Sequence, residues 1–284
     1  MIGKTNAVAG GKSNGQYNIE TIYNDDGTQT LSITDWDYKP APKYDRILAN
    51  NTPAQINMVC EEIATNGYTS SKVVEIYGWN IGDTITIPLS TGENIEVRIS
   101  GFNHDILSSD HTSKAGITFE MTHCLATPYP VSTEATNAGG YPSTTMKLST
   151  LPTIKALLPK EWQDIIKFVD KKSANGGSTN YTETLTTSED LFLLSQIEIT
   201  GTAEQAQNGQ DEGTQYEYYK ISPTDAIIKM YDTDGDAIVE TVNSWWLRSC
   251  YNGNTNGMCR ISKFGGYAYS KVTTSYGLSF AFCV

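Results

Sequence analysis

The sequence predicts an α+β protein of mainly antiparallel strands with two or three helices. Three observations predict it. Short runs alternate apolar and polar residues between Asp-Gly and other Gly-containing turns, a few stretches carry helical periodicity, and the chain closes on an apolar alternating run from Leu278 to Val284. At 284 residues the chain can bury a sizeable core, as one large domain or two modest ones, so stability need not come from metals or cross-links.

Residues 17–35 read YNIETIY, NDDG and TQTLSIT, two alternating runs around an Asp-Gly turn, which predicts an N-terminal β-hairpin extension. Asp35 to Thr52 contains Pro, Tyr and Asn without periodicity and is read as a linker. The expected division is therefore 1–45 for the extension and linker, and 46–284 for the main domain. Thr52 is placed as an N-cap, Pro53 at the first helical position and Gln55 as the partner in a capping box, for a helix to about Thr65 that stops at Gly67.

From Lys72 to Thr122 the runs KVVEIYGW, DTITIPL, NIEVRISGF and GITFEMTHCL predict three or four antiparallel strands. Helices are expected at Thr144–Leu151 and Lys160–Lys171, the second with Trp162, Ile165, Ile166 and Val169 on one face. Asp190 to Ile199 reads as strand and residues 200–220 as an exposed loop. IIKMY and AIVETV then form a hairpin around Asp234-Gly235, and no internal repeat is evident.

With 20 Lys and Arg against 32 Asp and Glu the net charge is −12, and no stretch gathers the cations into a stripe. This disfavours nucleic acid, whose binding depends on cations displacing counterions. Abundant Gly, Thr, Ser, Asn and Tyr with only 18% charged residues suits a β-rich recognition protein better than a metabolic enzyme. The first residues lack the layout of a signal peptide, and no run approaches the length of a membrane span. Neither secretion by that route nor membrane insertion is expected; a location on a virion, or outside the cell after lysis, is.

The five cysteines, Cys60, Cys124, Cys250, Cys259 and Cys283, form no C-x-x-C pair and read as free buried thiols, with a Cys250–Cys259 bridge across a loop as the alternative. Asp232, Asp234 and Asp236 alternate as calcium ligands would. Ala237 and Asn243, however, stand where an EF-hand loop requires Gly and Glu, so a hairpin turn is the better reading. His104, His111 and His123 lack zinc-site spacing and read as structural. No nucleophile elbow, P-loop or dinucleotide fingerprint occurs, and no pair among the 32 acids stands out as catalytic. No cofactor or metal is expected.

The end of the chain is the most informative part. Trp245, Trp246 and Arg248 adjoin one another, and short alternating runs follow at Met258–Ser262, Gly266–Val272 and Leu278–Val284. The last, with Leu278, Phe280, Phe282 and Val284 on one face, is expected to be a central buried strand. A binding surface within 244–284 is assigned to Trp245, Trp246, Arg248, Tyr251, Asn252, Asn254, Asn256, Met258, Arg260, Tyr267, Tyr269 and Tyr276. Tyr and Asn are typical of such surfaces: Tyr gives large contact area at little entropy cost, and Asn adapts its hydrogen bonds. The rival reading is the polar, solvated face of a small sheet.

The motif W-W-L-R-S (Trp245 to Ser249) with Y-G-L-S-F-A-F-C-V (Tyr276 to Val284) resembles a domain family of gut Firmicutes and their phages. Gly101–Asp105 (GFNHD), Lys114–Phe119 (KAGITF), Asn137–Gly140 (NAGG) and Leu191–Ser195 (LFLLS) extend the resemblance over roughly residues 70 to 284. More loosely, the order of a Trp- and Arg-containing block, short strands and a Gly-containing apolar strand resembles the C-type lectin-like fold of formylglycine-generating-type domains and of the variable proteins of diversity-generating retroelements. That resemblance implies a fixed scaffold with a solvent-facing ligand site in its last strands. Asn252, Asn254, Asn256, Tyr251, Tyr267 and Tyr269 fit the residue spectrum such systems diversify; Met258, Lys263 and Lys271 do not follow from an Asn codon. The copper-binding cysteine pair of the enzymatic relatives is not recognisable.

The expected function is thus non-catalytic: a phage-encoded or virion-associated homo-oligomer. It would bind a host-surface protein or glycan through its C-terminal face and other virion or tail proteins through its N-terminal extension. An architectural virion protein and an enzyme acting on glycans or peptidoglycan are the alternatives.

Overall fold

The structure, a computed structural model, describes residues 6–9, 16–24, 27–36, 44–180, 183–221, 229 and 244–284. The chain divides into two compact units, Met1–Asp45 and Arg46–Val284. In the first, β1 (Asn6–Ala9), β2 (Gln16–Tyr23) and β3 (Gln29–Trp36) form an antiparallel sheet in that order. The predicted hairpin is β2–β3, running in register from Gln16↔Trp36 to Tyr23↔Gln29, and Gly27 takes the left-handed φ of 80° that its turn needs. Strand β1 had no clear signal in the sequence.

The second unit opens with α1 (Pro53–Asn66). Thr52 Oγ1 accepts the Gln55 N–H at 3.3 Å, Gln55 Oε1 accepts the Thr52 N–H at 2.9 Å, and Gly67 ends the helix at φ 60°. The next segment corrects a strand assignment, because KVVEIYGW lies mostly in α2 (Ser70–Tyr77). Val73 and Tyr77, four residues apart, are its buried positions, and Gly78 caps it at φ 81°. Helical spacing and a Gly stop outweighed the β-branched composition.

Strands β4 (Thr84–Pro88), β5 (Asn94–Phe102) and β6 (Ile117–Met121) follow as an antiparallel meander. Beyond them, the helical stretch predicted near 144–151 begins as a π turn at Met146–Thr150 and continues as α3 (Leu151–Lys155). Pro152 has no N–H to donate, and the Leu151 N–H just before it reaches back to the Met146 carbonyl.

The helix expected over Lys160–Lys171 is only α4 (Lys160–Ile165). Ile166 is extended because the Lys167 N–H bonds the Cys283 carbonyl at 2.9 Å, and Val169 already begins β7 (Val169–Ala174), which pairs with β8 (Thr184–Glu189). Trp162, Ile165, Ile166 and Val169 are buried all the same.

The strand expected at Asp190–Ile199 shrinks to β9 (Leu191–Phe192), after which Ser195 and Glu198 form a second capping box at the start of α5 (Gln196–Thr200). Residues 200–220 are not simply an exposed loop. They include α6 (Glu217–Ile221) and bury Gln207, Glu212, Tyr216 and Tyr219. The hairpin read around Asp234-Gly235, and the calcium reading of the same acids, lie outside the described residues.

Strands β10 (Trp245–Cys250), β11 (Gly257–Ile261) and β12 (Tyr267–Lys271) make a three-stranded antiparallel sheet in that order, with β12 on an edge. The last strand, β13 (Ala281–Cys283), completes a five-stranded sheet of order β4-β5-β6-β13-β9. It lies between two neighbours, as its apolar pattern predicts, and residues 278–284 are all buried. Phe282 stacks on Phe119 at 5.5 Å and meets the edge of Trp162 at 5.9 Å, which ties the sheet to α4. The five cysteines are free and buried; Cys259 Sγ lies 3.8 Å from the Cys250 carbonyl oxygen rather than bonded to its sulfur.

Candidate functional site

The W-W-L-R-S segment is β10, and every residue in it is buried. Trp245 packs in the core with Leu247, Cys259 and Ile261, and the Lys229 ammonium stands 4.4 Å from its ring centre. Trp246 Nε1 donates to the Tyr129 carbonyl at 2.9 Å, and its ring meets Tyr276 edge-on at 5.2 Å. Met258 is likewise fully buried. This corrects the assignment of Trp245, Trp246, Arg248 and Met258 to a solvent-facing surface. The strand lies inside the sheet system, where neither of its faces meets water.

Arg248 has a different use. Its Nε donates to the Lys172 carbonyl at 3.0 Å, Nη1 to the Leu193 carbonyl at 2.9 Å, Nη2 to the Glu212 carbonyl at 2.6 Å, and Nη1 and Nη2 together grip the Glu198 carboxylate. All five guanidinium N–H groups are thereby satisfied. Glu198 also meets Lys171 at 2.7 Å. Lys171 in turn donates to Asp105 at 2.5 Å and to the Tyr216 hydroxyl at 2.9 Å, and the Thr118 and Tyr216 hydroxyls donate to Asp105 at 2.6 and 2.8 Å. Burial alone would raise the Asp105 and Glu198 carboxyls. The facing cations, with hydrogen bonds, outweigh it and hold both below the ordinary carboxylate range.

Glu212 completes the cluster and behaves oppositely. Its Oε1 accepts the Ala174 N–H at 3.0 Å and its Oε2 accepts the Ser249 hydroxyl, yet burial pushes its pKa up to about 7, against the pull of Arg248. These acids and cations form much of the floor of a cleft of about 600 Å³ rimmed by His104, His111 and Asp170. The His104 ring stacks on Tyr216 at 4.0 Å, His111 Nδ1 lies 2.7 Å from Asp170, and His123 Nδ1 lies 3.1 Å from the Thr122 hydroxyl. Among the described residues no group of three His, Cys, Asp or Glu side chains is placed to hold a metal ion. Sequence reasoning passed over the network because its members are far apart in the chain. The one local signal was Ser195-x-x-Glu198, a capping-box spacing.

The remaining candidates divide between the two faces of the β10–β12 sheet. The register Ile261↔Tyr267 and Cys259↔Tyr269 puts both tyrosines on the face of the buried Ile261 and Cys259. Both β10 and β12 are outer strands of this sheet, but β10 is engaged on its outer side by Gly277 and Leu194, whereas β12 carries the two tyrosines past the margin of the core. Tyr267 is 36% and Tyr269 46% exposed, and Phe264, in the preceding turn, is 80% exposed. The half-buried Tyr251 stacks on Tyr269 with ring centres 3.7 Å apart and planes within 3°.

Asn252 is exposed, while Asn254 and Asn256 are half-buried and linked, the Asn254 side-chain oxygen accepting the Asn256 N–H at 3.1 Å. Arg260 and Tyr276 belong to the opposite face, where the guanidinium lies 4.6 Å from the ring centre and donates to Ser270 and Ser244. Tyr251, Tyr267 and Tyr269 thus come together; Arg260 and Tyr276 form a separate, largely satisfied pair.

The protein is therefore of mixed helix and antiparallel sheet, with an aromatic edge strand set on a core cross-linked by ion pairs. Residues 151–284 match the family described as Domain of unknown function (DUF6273), a span that takes in β10–β13 and the Arg248–Glu198 pair. No curated protein and no solved structure matches the chain. Among the described residues no helix is long and apolar enough to cross a membrane.

Proposed function

We propose that this chain is a non-catalytic recognition protein that binds a host-surface ligand through the edge of its C-terminal sheet. The observation that carries this reading is the Tyr251–Tyr269 stack beside the exposed Tyr267 and Phe264, next to the strand β11, in which Gly257, Met258, Cys259 and Ile261 are buried. Rings already ordered by stacking lose little entropy on meeting a ligand, and a rigid support keeps them in place. The Arg248 network supports the rigidity, since it joins backbone carbonyls of three separate segments to β10.

In the fuller form of the proposal the second unit is a C-type lectin-like scaffold of a phage-encoded or virion-associated protein. The hairpin unit attaches it to a structural partner, and several copies supply avidity. The supports are the motif resemblance, the order of the last strands and the Tyr- and Asn-rich composition. The test is binding of the fluorescently labelled full chain to a panel of intact Gram-positive gut bacteria. Saturable binding to some members is expected, with loss in Tyr269→Ala and Tyr267→Ala proteins that melt normally; no binding, or binding indifferent to both substitutions, refutes the proposal.

A further inference from the structure

We infer that the ligand of this edge is an acidic polysaccharide, an inference that rests on the recognition reading above. Between Ser244 and Val284 there is no Asp or Glu, although the chain has 32 acids and a net charge of −12; the same segment carries Arg248, Arg260, Lys263 and Lys271. Arg248 is neutralised inside by Glu198, and Arg260 is half-buried against Tyr276. Lys263 and Lys271 are exposed, at the turn before β12 and at its far end, and so bracket the aromatic residues. The loops hydrogen-bonded to this region bring the exposed Glu134 and Glu204, but neither lies in the sheet. The segment is thus a cationic, aromatic surface on an acidic protein, and its charge complements an anion.

The type of anion follows from the other groups present. Tyr267, Tyr269 and Lys271 alternate on one side of an edge strand, about 7 Å apart along it. An extended polymer lying along the strand meets ring, ring and cation in succession. Pyranose rings offer apolar C–H faces to tyrosine rings, their hydroxyls suit side-chain amides such as that of the exposed Asn252, and their carboxylate or phosphate substituents meet the lysines. Nucleic acid fits poorly, because affinity for its backbone grows with the number of cations engaged and two exposed lysines are few.

The experiment is affinity electrophoresis of the full chain through gels containing polygalacturonate, phosphomannan, neutral dextran or poly-glutamate. Retardation by polygalacturonate or phosphomannan is expected, and which of the two retards more identifies carboxylate or phosphate as the group read. Dextran and poly-glutamate should retard at least tenfold less. Lys263→Ala with Lys271→Ala should weaken retention about tenfold, the Lys→Arg pair should preserve it, and 0.5 M salt should remove most of it. Equal retention by dextran or by poly-glutamate overturns the inference. So does cell binding that needs Tyr269 without retention by either acidic polysaccharide, an outcome that leaves the recognition reading standing; loss of both kinds of binding removes the two together.

Discussion

Arg248 and Glu198 form a fully buried bidentate ion pair, with Nη2 2.7 Å from Oε1 and both side chains at most 2% exposed. The motif that looked most like a surface feature in the sequence is therefore the internal clamp of the domain. Arg suits the role because its planar fork reaches a carboxylate and several carbonyls at once, whereas an ammonium offers only three donors from one atom.

Without Arg248 the buried Glu198 keeps only Lys171 as a counter-charge, and without Glu198 the buried Arg248 keeps only carbonyl acceptors. Arg248→Met or Glu198→Leu should each destabilise the fold by about 3–5 kcal/mol. The joint replacement Arg248→Met with Glu198→Leu should cost less than the two single losses together, because no lone charge remains. Urea denaturation at pH 7 measures all of these, and single losses under about 1 kcal/mol would show that the pair is not a clamp.

Glu212 makes stability depend on pH. Its folded pKa, about 7, lies above its ordinary value of 4.5, so the folded state holds a proton that the unfolded state has lost between those values. Stability from this group is therefore complete below pH 4.5 and lost as pH rises through 7, by about 3 kcal/mol at 1.36 kcal/mol per unit. His104 is lowered by burial and His111 raised by Asp170, so their contributions run in opposite senses through the same region. Comparison with Glu212→Gln isolates the effect: the wild-type melting temperature should fall from pH 5 to pH 8 more steeply than that of the variant. Parallel curves would refute the assignment.

Stability and binding should separate along the C-terminal sheet. Trp246→Phe loses the bond to Tyr129 and part of the buried ring, and should cost about 1–3 kcal/mol while leaving ligand binding unchanged. Tyr269→Ala, at an exposed edge, should cost about 1 kcal/mol or less and abolish binding. Melting curves and cell-binding titrations of the two proteins give the comparison, and the reverse pattern would place the site elsewhere.

Gly116 sits where α1 passes the start of β6, and a Cβ there would lie 2.2 Å from the Cys60 carbonyl oxygen. Backbone of a packed helix cannot yield as a flexible side-chain tip would, so Gly116→Ala should destabilise by about 3 kcal/mol or more. Thermal denaturation checks this, and a change of under one degree in melting temperature would contradict the packing.

The thiols should be silent in the folded protein. All five cysteines are buried, and burial raises each of them, Cys124 to about 12. Less than one thiol per chain should react with Ellman's reagent within minutes at pH 8, and all five after unfolding in guanidinium chloride. Rapid modification of Cys250 or Cys259 in the native state would show that the sheet opens.

What the sequence determined by itself lies in signals a few residues long. The β2–β3 hairpin followed from Asp-Gly between alternating runs, α1 from Thr52, Pro53, Gln55 and Gly67, and the buried strand β13 from its period-two apolar pattern. In each case local chemistry and the final fold agree. Where they competed, tertiary contacts decided: Lys167 bonding to Cys283 cut α4 short, and the Ser195–Glu198 capping box turned an apolar run into α5. The site was decided entirely at that level. A period of two says which residues share a face of a strand, but not which strand is the edge or what covers the face. Only assembly of the sheets sent Trp245, Trp246, Arg248 and Met258 inward and left Tyr267 and Tyr269 at the margin. The partners of Arg248 come from positions far apart in the chain, so that only the folded core brings them together.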